Sequence, residues 1–235
     1  MLPLVLREAL LEATTSSVEY WDRVAHEKRF SHPLRLDWLA SYCNPDSRIL
    51  DFGCGYGRTL RELATANYRN LVGSDFSEAM LARARLESPQ ASLVRNGSLS
   101  LPFADNSFDL VLLFAVLTCI PDSDEQRLLM KEIARVLRPS AFVYLSDVLI
   151  NTDERNRLRY EQDAKTYGCY GVFKLPEGVV VRHHDKNWIE ELMSGFEKMK
   201  YEPFTVTTMN GNSSSAFHYL GRIGESPTSN VRGRV

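Results

Sequence analysis

Cysteine is scarce in this chain of 235 residues, and metal-binding patterns are missing from it. The four cysteines are Cys43, Cys54, Cys119 and Cys169, and none of them forms a Cys-x-x-Cys pair. No cluster of histidine and cysteine has the spacing of a zinc site. The pattern predicts a reduced, cytoplasmic protein that holds no metal.

Long apolar runs and an excess of charge of either sign are also missing. No run of about 18 apolar residues is present, so we expect no membrane span. The N-terminus reaches Arg7 and Glu8 too early to form the apolar core of a signal peptide. The net charge of −2 provides no long-range attraction to nucleic acid or to an anionic membrane, so neither is expected as a partner.

What is present is the composition of an ordinary globular protein, with 44% hydrophobic and 25% charged residues. From Arg48 onward, short apolar segments alternate with amphipathic ones. The alternation predicts strands over residues 48–52, 70–74, 91–95, 108–114 and 142–146, and helices over residues 58–66, 77–87 and 123–137. Strands separated by helices indicate a parallel sheet with right-handed crossovers. We expect Ser123 and Gln126 to form a capping box at the start of the last helix.

The segments that flank this alternation have other patterns. Residues 1–46 have helical periodicity, and residues 147–182 are rich in charge, tyrosine and glycine without clear periodicity. An amphipathic helix is predicted over residues 185–196. Two antiparallel strands are predicted over 204–209 and 216–221, around the turn Asn210-Gly211-Asn212. The residues after Ile223 are predicted to be disordered.

A glycine-rich turn follows the first predicted strand and reads Asp51-Phe52-Gly53-Cys54-Gly55-Tyr56-Gly57. Glycines spaced two apart let the backbone turn tightly and approach a ligand without a Cβ in the way. The helix after the turn offers unpaired amide groups at its positive end. Because ligands of open parallel sheets bind beyond the carboxyl ends of the strands, we expect a nucleotide or nucleoside here.

The turn differs from the phosphate-binding loops. It lacks the Gly-Lys-Ser/Thr of a P-loop, and its spacing is G-x-G-x-G where a dinucleotide fingerprint has G-x-G-x-x-G. A pyrophosphate would be repelled by the carboxylate of Asp51, whereas a cationic ligand would be attracted. S-adenosylmethionine carries a sulfonium and an ammonium group and no phosphate, so it fits this charge pattern.

Residues 48–147 resemble the class I S-adenosylmethionine-dependent methyltransferases, in particular the group with small-molecule members. The resemblance is carried by ILDFGCGYG at 49–57, VGSDFS at 72–77, LPFADNSFDLV at 101–111 and EIARVLRP at 132–139. Each motif alone is moderately specific, but their order and spacing together are characteristic. The resemblance implies an α/β Rossmann-like fold. Its seven-stranded, mostly parallel sheet would have helices on both faces and a C-terminal antiparallel hairpin.

The resemblance also implies a set of residues that bind S-adenosylmethionine and its product, S-adenosylhomocysteine. The set consists of Tyr20, Asp51, Gly53, Cys54, Gly55, Gly57, Asp75, Phe76 and Phe114. Asp51 and the loop would hold the methionine part, and Asp75 would accept hydrogen bonds from the ribose hydroxyls. Phe76 would pack against adenine, and Phe114 would lie near the methionine chain. Tyr20 would cover the cofactor from the N-terminal helix.

The adenine-binding region departs from the family pattern. Members often carry an acid after the third strand that binds the adenine amino group, and Gly97 stands at that place here. We therefore expect adenine to be bound by the stretch Asn96-Gly97-Ser98-Leu99, through side chains or backbone groups.

Related folds often build a lid between the fifth strand and the following helix, and residues 148–184 would form it here. The other predicted regions are an N-terminal helical cap (1–46), the cofactor-binding core (47–147), a helix and hairpin that complete the sheet (185–223) and a tail (224–235). The substrate-binding candidates are Tyr20, His26, Tyr167, Tyr170, His183 and His184. Either His183 or His184 could act as a general base near neutral pH. In the alternative interpretation, Asp185 caps the next helix and the two histidines pack at its entrance.

The sequence therefore predicts a methyltransferase that acts on a small, partly apolar molecule. Asp147 and Asn151 could imitate part of a metal-dependent site, but no third acid has matching spacing. The Asn/Asp-Pro-Pro-Tyr/Phe motif of enzymes that methylate exocyclic amines is missing, which argues against nucleic-acid bases as acceptors. Two alternatives stay open: a methyltransferase for protein or RNA, and a non-catalytic regulator that binds S-adenosylmethionine. The sequence leaves the oligomeric state open.

Overall fold

The computed structural model describes residues 18–208 and 211–224. Among them, the first helix (α1) covers residues 18–24, and a short helix α2 covers Leu36–Ala40. Three parts of the predicted elements lie outside the described residues: residues 1–17 of the N-terminal cap, residues 209 and 210 of the predicted hairpin, and the tail from residue 225 onward.

The alternation of strands and helices follows in the predicted order. The remaining helices are α3 (Arg58–Thr65), α4 (Glu78–Glu87), α5 (Ser123–Val136), α6 (Glu154–Tyr167) and α7 (Lys186–Leu192), with a 3₁₀ turn at Leu117–Cys119. The strands are β1 (Arg48–Phe52), β2 (Asn70–Asp75), β3 (Ser92–Arg95), β4 (Phe108–Phe114), β5 (Leu137–Val148), β6 (Val172–Lys174), β7 (Val180–Arg182), β8 (Phe196–Thr207) and β9 (Ser213–Ile223). None of the helices in the described ranges combines the length and apolar character needed to cross a bilayer.

Seven strands form one sheet in the order β3-β2-β1-β4-β5-β9-β8. The first five strands pair in parallel, and β9 lies antiparallel between β5 and β8. The strand order reverses between β1 and β4, so the carboxyl ends of these two strands flank the crevice where such sheets bind ligands. The predicted seven-stranded, mostly parallel fold with a C-terminal antiparallel pair is confirmed.

Both faces of the sheet are covered by helices, and each has its own apolar core. On one face, α5 and α7 pack against inward side chains such as Leu50, Val111 and Phe217. On the other face, α2, α3 and α4 pack against side chains such as Ile49 and Leu112. Asp51 alternates with Leu50 along β1 and therefore lies on the second face, which places it beneath the glycine-rich turn.

The structure corrects three details of the predicted elements. Helix α5 is capped by Asp122, whose carboxylate accepts hydrogen bonds from the backbone N–H of Asp124 and Glu125, so the predicted capping box at Ser123 is wrong. Strand β5 begins five residues earlier than predicted, at Leu137, which pairs with Phe108. Strand β8 is also longer than predicted and covers Phe196–Thr207, because its charged first half pairs with β9 at the edge of the sheet.

Candidate cofactor and acceptor site

The glycine-rich turn leaves β1 at its carboxyl end and leads into α3. Gly53, Gly55 and Gly57 all have left-handed backbone angles, with φ of 72°, 52° and 81°. The N–H groups of Gly53 and Cys54 both donate to the carbonyl oxygen of Ser74, at 2.7 and 3.0 Å. The turn is thus fixed by its own backbone against β2, and only glycine adopts this series of angles without strain.

Asp51 lies directly under the turn and is 2% exposed. Its Oδ2 atom is buried and has no hydrogen-bond partner among the described residues. Burial raises the pKa of Asp51 to about 7, the carboxylates of Asp75 and Glu62 act in the same direction, and the guanidinium of Arg58 opposes them. A buried carboxylate oxygen without a partner is costly, and an ammonium group bound at the turn would satisfy it.

Asp75 ends β2 and faces the same turn. Its Oδ2 accepts a hydrogen bond from Gly55 N–H at 2.8 Å, and its Oδ1 accepts one from Ser77 N–H at 2.9 Å. Burial raises the pKa of Asp75, and hydrogen bonds from the backbone of Ser77, Gly55 and Phe76 partly offset that effect. The carboxylate therefore fixes the middle glycine of the turn and keeps further lone pairs for a ligand.

Three more residues of the predicted cofactor set have different surroundings. Phe76 is partly exposed at the end of β2, and it belongs to none of the apolar clusters formed by the described residues. Cys54 is buried under the turn, and burial keeps its pKa well above the ordinary value. The ring of Phe114 packs edge-on against Tyr144, with centroids 4.9 Å apart, so its main contacts lie in the core beside the turn.

The predicted adenine-binding stretch follows β3 at the same edge of the sheet. The side-chain amide of Asn96 donates to the carbonyl oxygen of Ser98 at 2.8 Å and folds back on its own loop. Leu99 packs onto the core. A Cβ on Gly97 would meet no atom within 4 Å, so the space around this residue does not require a glycine. The loop is open at the position where related proteins carry an acid.

A segment that the sequence analysis did not single out crosses the turn. We call residues 26–35, which connect α1 to α2, the strap. The Phe30 ring lies against Gly55 and stacks on Tyr56, with centroids 4.8 Å apart. His32 is buried, and its Nδ1 lies 3.0 Å from the hydroxyl of Ser146 on β5. Burial, followed by the nearby His218 and Arg58, lowers the pKa of His32 to about 3, so this imidazole is neutral.

The carboxylate of Asp22 joins helix α1 to the start of α4, which follows Asp75. Asp22 Oδ1 accepts hydrogen bonds from the Ser77 hydroxyl at 2.5 Å and from Ala79 N–H at 3.3 Å, at the start of α4. Tyr20, on the same helix, packs against Tyr160 and Phe173. Tyr20 is 2% exposed, and burial followed by the charge of Glu177 raises its pKa to about 12.

The residues between β5 and α7 form a separate small unit, in which α6 packs on the antiparallel pair β6–β7. Its apolar face contains Tyr160, Phe173 and Val181, and Tyr20 of α1 belongs to the same cluster. His183 follows β7 on that face, and its Nδ1 lies 2.6 Å from the Tyr160 hydroxyl. Burial, together with Arg159 and His184, lowers the pKa of His183 well below its ordinary value.

His184 has a different environment from His183. Its Nδ1 faces the carbonyl oxygen of Val148 at 3.2 Å, and its Nε2 faces the Gln126 side-chain nitrogen at 3.0 Å. The carbonyl can only accept and the amide nitrogen can only donate, so Nδ1 carries the hydrogen and both ring nitrogens are engaged. The side chain has no exposed surface. This arrangement favours the alternative interpretation, in which the histidine packs at the entrance of the next helix.

The remaining substrate candidates are not gathered at one point. His26 is exposed after the end of α1. Tyr167 packs against Val172 and Val180 at the end of α6. Tyr170 is 46% exposed, and its ring lies 5.3 Å from that of Tyr160. Of these three, only Tyr170 adjoins the aromatic cluster around His183.

Asp147 and Asn151 have structural partners at the end of β5. Asp147 accepts hydrogen bonds from the N–H groups of Thr118 and Val148, and burial raises its pKa to about 7. Asn151 bonds to the backbone of Leu149 and Ser215. Within the described ranges, no group of three or more histidine, cysteine, aspartate or glutamate side chains is arranged to hold a metal ion.

The residues around the turn fit S-adenosylmethionine. The partnerless Asp51 Oδ2 can accept from an ammonium group, and Asp75 at the end of β2 keeps lone pairs that can accept from hydroxyl groups. The left-handed glycines allow close approach of the ligand to the backbone. Two buried acids beside one turn suit a cationic nucleoside and would repel a pyrophosphate.

Comparison with known proteins supports the same assignment. A family model described as a methyltransferase domain matches residues 50–145, which include β1, the glycine-rich turn and most of β5. A solved S-adenosylmethionine-dependent methyltransferase from Methanosarcina mazei is similar to this chain, with 27% identity and a TM-score of 0.76. The match covers 80% of this chain and 98% of that one. Together these matches support the assignment of the chain to the class I S-adenosylmethionine-dependent methyltransferases. The predicted family and its cofactor are confirmed.

Two further proteins are similar to this methyltransferase, one in sequence and one in fold alone. A protein named demethylmenaquinone methyltransferase from Bacillus mycoides is 29% identical over 163 residues, which are 66% of each chain and thus just under two thirds of the relative's length. The solved structure of the [4+2]-cyclase SpnF is 16% identical with a TM-score of 0.59, covers 95% of this chain, and shows a likeness of fold alone.

Several residues at the methyltransferase site carry no local sequence signal. The strap residues Phe30 and His32 lie in a segment without periodicity, and they reach the site through contacts with Gly55 and Ser146. Arg159 lies on a helix whose strongly polar sequence hides its packing face. A single sequence offers no pattern that would have identified these three residues.

Proposed function

We propose that this methyltransferase transfers the methyl group of S-adenosylmethionine to a small molecule bound between α1 and the unit formed by residues 148–184. That unit acts as the substrate lid. The observation that carries the proposal is the position of helix α1, on which Asp22 is bonded to the start of α4 and Tyr20 packs into the aromatic cluster of the lid. One helix therefore adjoins both the cofactor turn and the acceptor side.

The cofactor half of the proposal rests on the two buried acids and the turn. Asp51 would accept a hydrogen bond from the ammonium group of the methionine part, and Asp75 would bind the ribose. Gly53, Gly55 and Gly57 would present backbone N–H groups at close range, since no side chain separates them from a ligand. Tyr20 would cover the cofactor and Phe76 would pack against adenine. Phe114 would lie near the methionine chain, and residues 96–99 would bind adenine.

The acceptor half rests on the chemistry of the lid face. Tyr160, Phe173 and Val181 give an apolar wall that Tyr20 of α1 covers, and the Tyr160 hydroxyl and the His183 ring give polar groups beside it. When bound, S-adenosylmethionine supplies a methyl group that is already activated by its sulfonium. The protein then has to hold the acceptor in line and exclude water, and positioning alone supplies roughly 7–11 kcal/mol in favourable cases. A small, partly apolar acceptor suits this wall.

His183 is the better placed of the two histidines to receive a proton from the acceptor. It is neutral, its Nδ1 is held by Tyr160, and no hydrogen bond among the described residues uses its Nε2. Both nitrogens of His184 are engaged. The relatives named demethylmenaquinone methyltransferase agree with a small-molecule acceptor.

The proposal is tested in two steps. Calorimetry with S-adenosylmethionine and S-adenosylhomocysteine measures cofactor binding, and a labelled-methyl assay on a library of small aromatic and unsaturated metabolites measures transfer. We expect binding of both nucleosides and transfer to at least one acceptor. Binding without transfer to any acceptor would favour a regulator, labelling only of protein or RNA would favour a macromolecular substrate, and no binding at all would overturn the proposal.

A further inference from the structure

One arginine of the lid has an unusual environment. Arg159 on α6 lays its guanidinium over the ring of Phe173, with Cζ 3.7 Å from the ring centroid. The arginine is half-buried, and its Nε is fully buried without a hydrogen-bond partner among the described residues. Its neighbour Arg155 lies 3.9 Å from Asp153, whereas no described carboxylate lies within ion-pair distance of Arg159. The side chain is a partly desolvated cation that has no direct ion pair within the described ranges, although the charge of Asp153 acts on it from farther away.

Such a cation favours a bound anion for two physical reasons. Burial lowers the pKa of Arg159, because it disfavours the charged form, whereas the neighbouring Tyr160 and Asp153 act in the opposite direction. A charge that is removed from water without a partner costs free energy, which a bound anion would recover. A guanidinium that stacks on an aromatic ring keeps its N–H edge free, and that edge matches the two oxygens of a carboxylate.

Two neutral polar groups stand next to the guanidinium. Phe173 separates Arg159 from His183, and the rings of Phe173 and His183 lie 5.0 Å apart at 89°. The hydroxyl of Tyr160 is bonded to His183 Nδ1 at 2.6 Å. The three polar side chains thus surround one buried ring on the face of the lid that Tyr20 contacts.

We propose that Arg159, which lies beside Tyr160 and His183, forms a carboxylate-binding site in the lid, and that the methyl acceptor is a planar, partly apolar molecule that carries a carboxylate. The proposal rests on the proposed function, because it names the acceptor class of that same site. The carboxylate meets the guanidinium edge, and the apolar body of the acceptor lies between α1 and the lid, where Tyr20 covers Tyr160, Phe173 and Val181 in this structure. Arg159 then selects the acceptor and orients it.

The test uses two pairs of probes that differ in charge but scarcely in shape. The full chain, saturated with S-adenosylhomocysteine, is titrated by calorimetry with salicylate and salicylamide, and with 4-hydroxybenzoate and 4-hydroxybenzamide. We expect at least one carboxylate to bind roughly tenfold more tightly than its amide, which corresponds to about 1.4 kcal/mol. Arg159→Gln is expected to remove this preference. The matched control Arg157→Gln, at an exposed position of the same helix, is expected to keep it.

A second variant and a separate readout keep the result interpretable. Arg159→Lys retains the charge but loses the planar fork, so it should keep only part of the preference, and it decides the outcome if Arg159→Gln does not fold. Any of three results would overturn the proposal: equal affinity of each carboxylate and its amide, no binding of any probe, or a preference that survives Arg159→Gln. S-adenosylhomocysteine binding is measured first. If S-adenosylhomocysteine does not bind, the proposed function fails and this inference fails with it. If S-adenosylhomocysteine binds but no carboxylate is preferred, only this inference fails.

Discussion

The glycine-rich turn and the lid are held in place by different kinds of contact. The turn is fixed by backbone hydrogen bonds to Ser74 and by the carboxylate of Asp75, all within a stretch of consecutive elements. The lid is fixed by side chains that come from distant parts of the chain, such as Tyr20 of α1 against the cluster around Tyr160. The cofactor side is thus held chiefly by backbone hydrogen bonds, whereas on the proposed acceptor side, side-chain packing from α1 adds to the backbone bonds that join His184 to β5.

This difference determines which property a substitution in each region is expected to change. A turn that depends on three left-handed glycines tolerates few substitutions, because any Cβ adds strain at each of them. An aromatic wall can be altered one side chain at a time while the sheet stays intact. Substitutions in the turn should therefore act on cofactor affinity, whereas substitutions in the lid should act on acceptor selection and turnover.

The largest effect is expected for Gly55→Val. A Cβ at this position would overlap the Phe30 ring, and the backbone there has a φ of 52°, which a β-branched residue rarely adopts. We expect cofactor affinity to fall by roughly a hundredfold or more, about 2.7 kcal/mol, in calorimetry with S-adenosylhomocysteine.

A double variant can separate the effect of the Phe30 ring on cofactor affinity from the effect of the backbone angle at Gly55. The double variant Gly55→Ala with Phe30→Ala removes the ring overlap and leaves the angle, so affinity should stay low if the turn itself is decisive. Gly195→Ala is the control, since a Cβ at Gly195 meets no atom within 4 Å and its φ lies outside the left-handed range. Unchanged affinity in Gly55→Val would mean that the turn does not lie against the cofactor.

A smaller loss is expected for Asp75→Asn, which keeps the shape of the side chain but removes its charge. Asp75 accepts hydrogen bonds from Gly55 and Ser77, and the ribose hydroxyls are proposed to add to them. Bonds to a charged acceptor are roughly twice as strong as neutral ones, so affinity for S-adenosylhomocysteine should fall by more than about tenfold. A melting curve of the variant shows whether the turn stays folded, and an unchanged dissociation constant would contradict the ribose role.

The cofactor affinity should also depend on pH through Asp51. Burial raises the pKa of this carboxyl to about 7, in the presence of Asp75, Glu62 and Arg58. An ammonium ligand favours the ionised form, so affinity should rise roughly tenfold between about pH 6 and about pH 8. The slope should flatten in Asp51→Asn. The ligand's own amine titrates identically with both proteins, so the difference between their slopes isolates Asp51, and equal slopes would remove Asp51 from the ammonium site.

The same carboxyl has the opposite effect on the stability of the protein without cofactor. The folded chain keeps a proton on Asp51 between about pH 4 and pH 7, where the unfolded chain has released it. This contribution to the free energy of unfolding is therefore present at low pH and is lost as the pH rises through that range. Cofactor affinity and stability should change in opposite directions, which urea unfolding at several pH values can measure.

Much of the fold followed from the sequence because local pattern and tertiary packing agree there. Strands β1 and β4 are apolar, bounded by turns and buried on both faces, and their bounds match the predicted ones. Helix α6 was missed because it is strongly polar and buries few of its residues. Strand β8 was underpredicted because the charged side chains of its first half face solvent at the edge of the sheet.

The cofactor side of the candidate site could be predicted from the sequence, whereas the contacts of the strap and the lid could not. Asp51, Asp75 and the glycines lie at strand ends, where the order of the chain already places them together, so a short motif was enough to predict them. Phe30, His32 and Arg159 reach the site only through folding of the strap and the lid. No periodicity or motif encodes those contacts, because they depend on the packing of segments far apart in the sequence.

The smallest effect on the cofactor is expected for Tyr160→Phe in the lid. The change removes the hydroxyl that bonds His183 Nδ1 and accepts from Asn151 N–H, and it leaves two buried polar groups without that partner. We expect a loss of stability of about 1–3 kcal/mol in urea unfolding, while the dissociation constant of S-adenosylhomocysteine stays within about twofold, since the turn keeps its backbone contacts. Tyr167→Phe, at the far end of the same helix, is the control. A large loss of cofactor affinity in Tyr160→Phe would show that lid and turn are coupled, and the division between a backbone-held and a side-chain-held half would no longer hold.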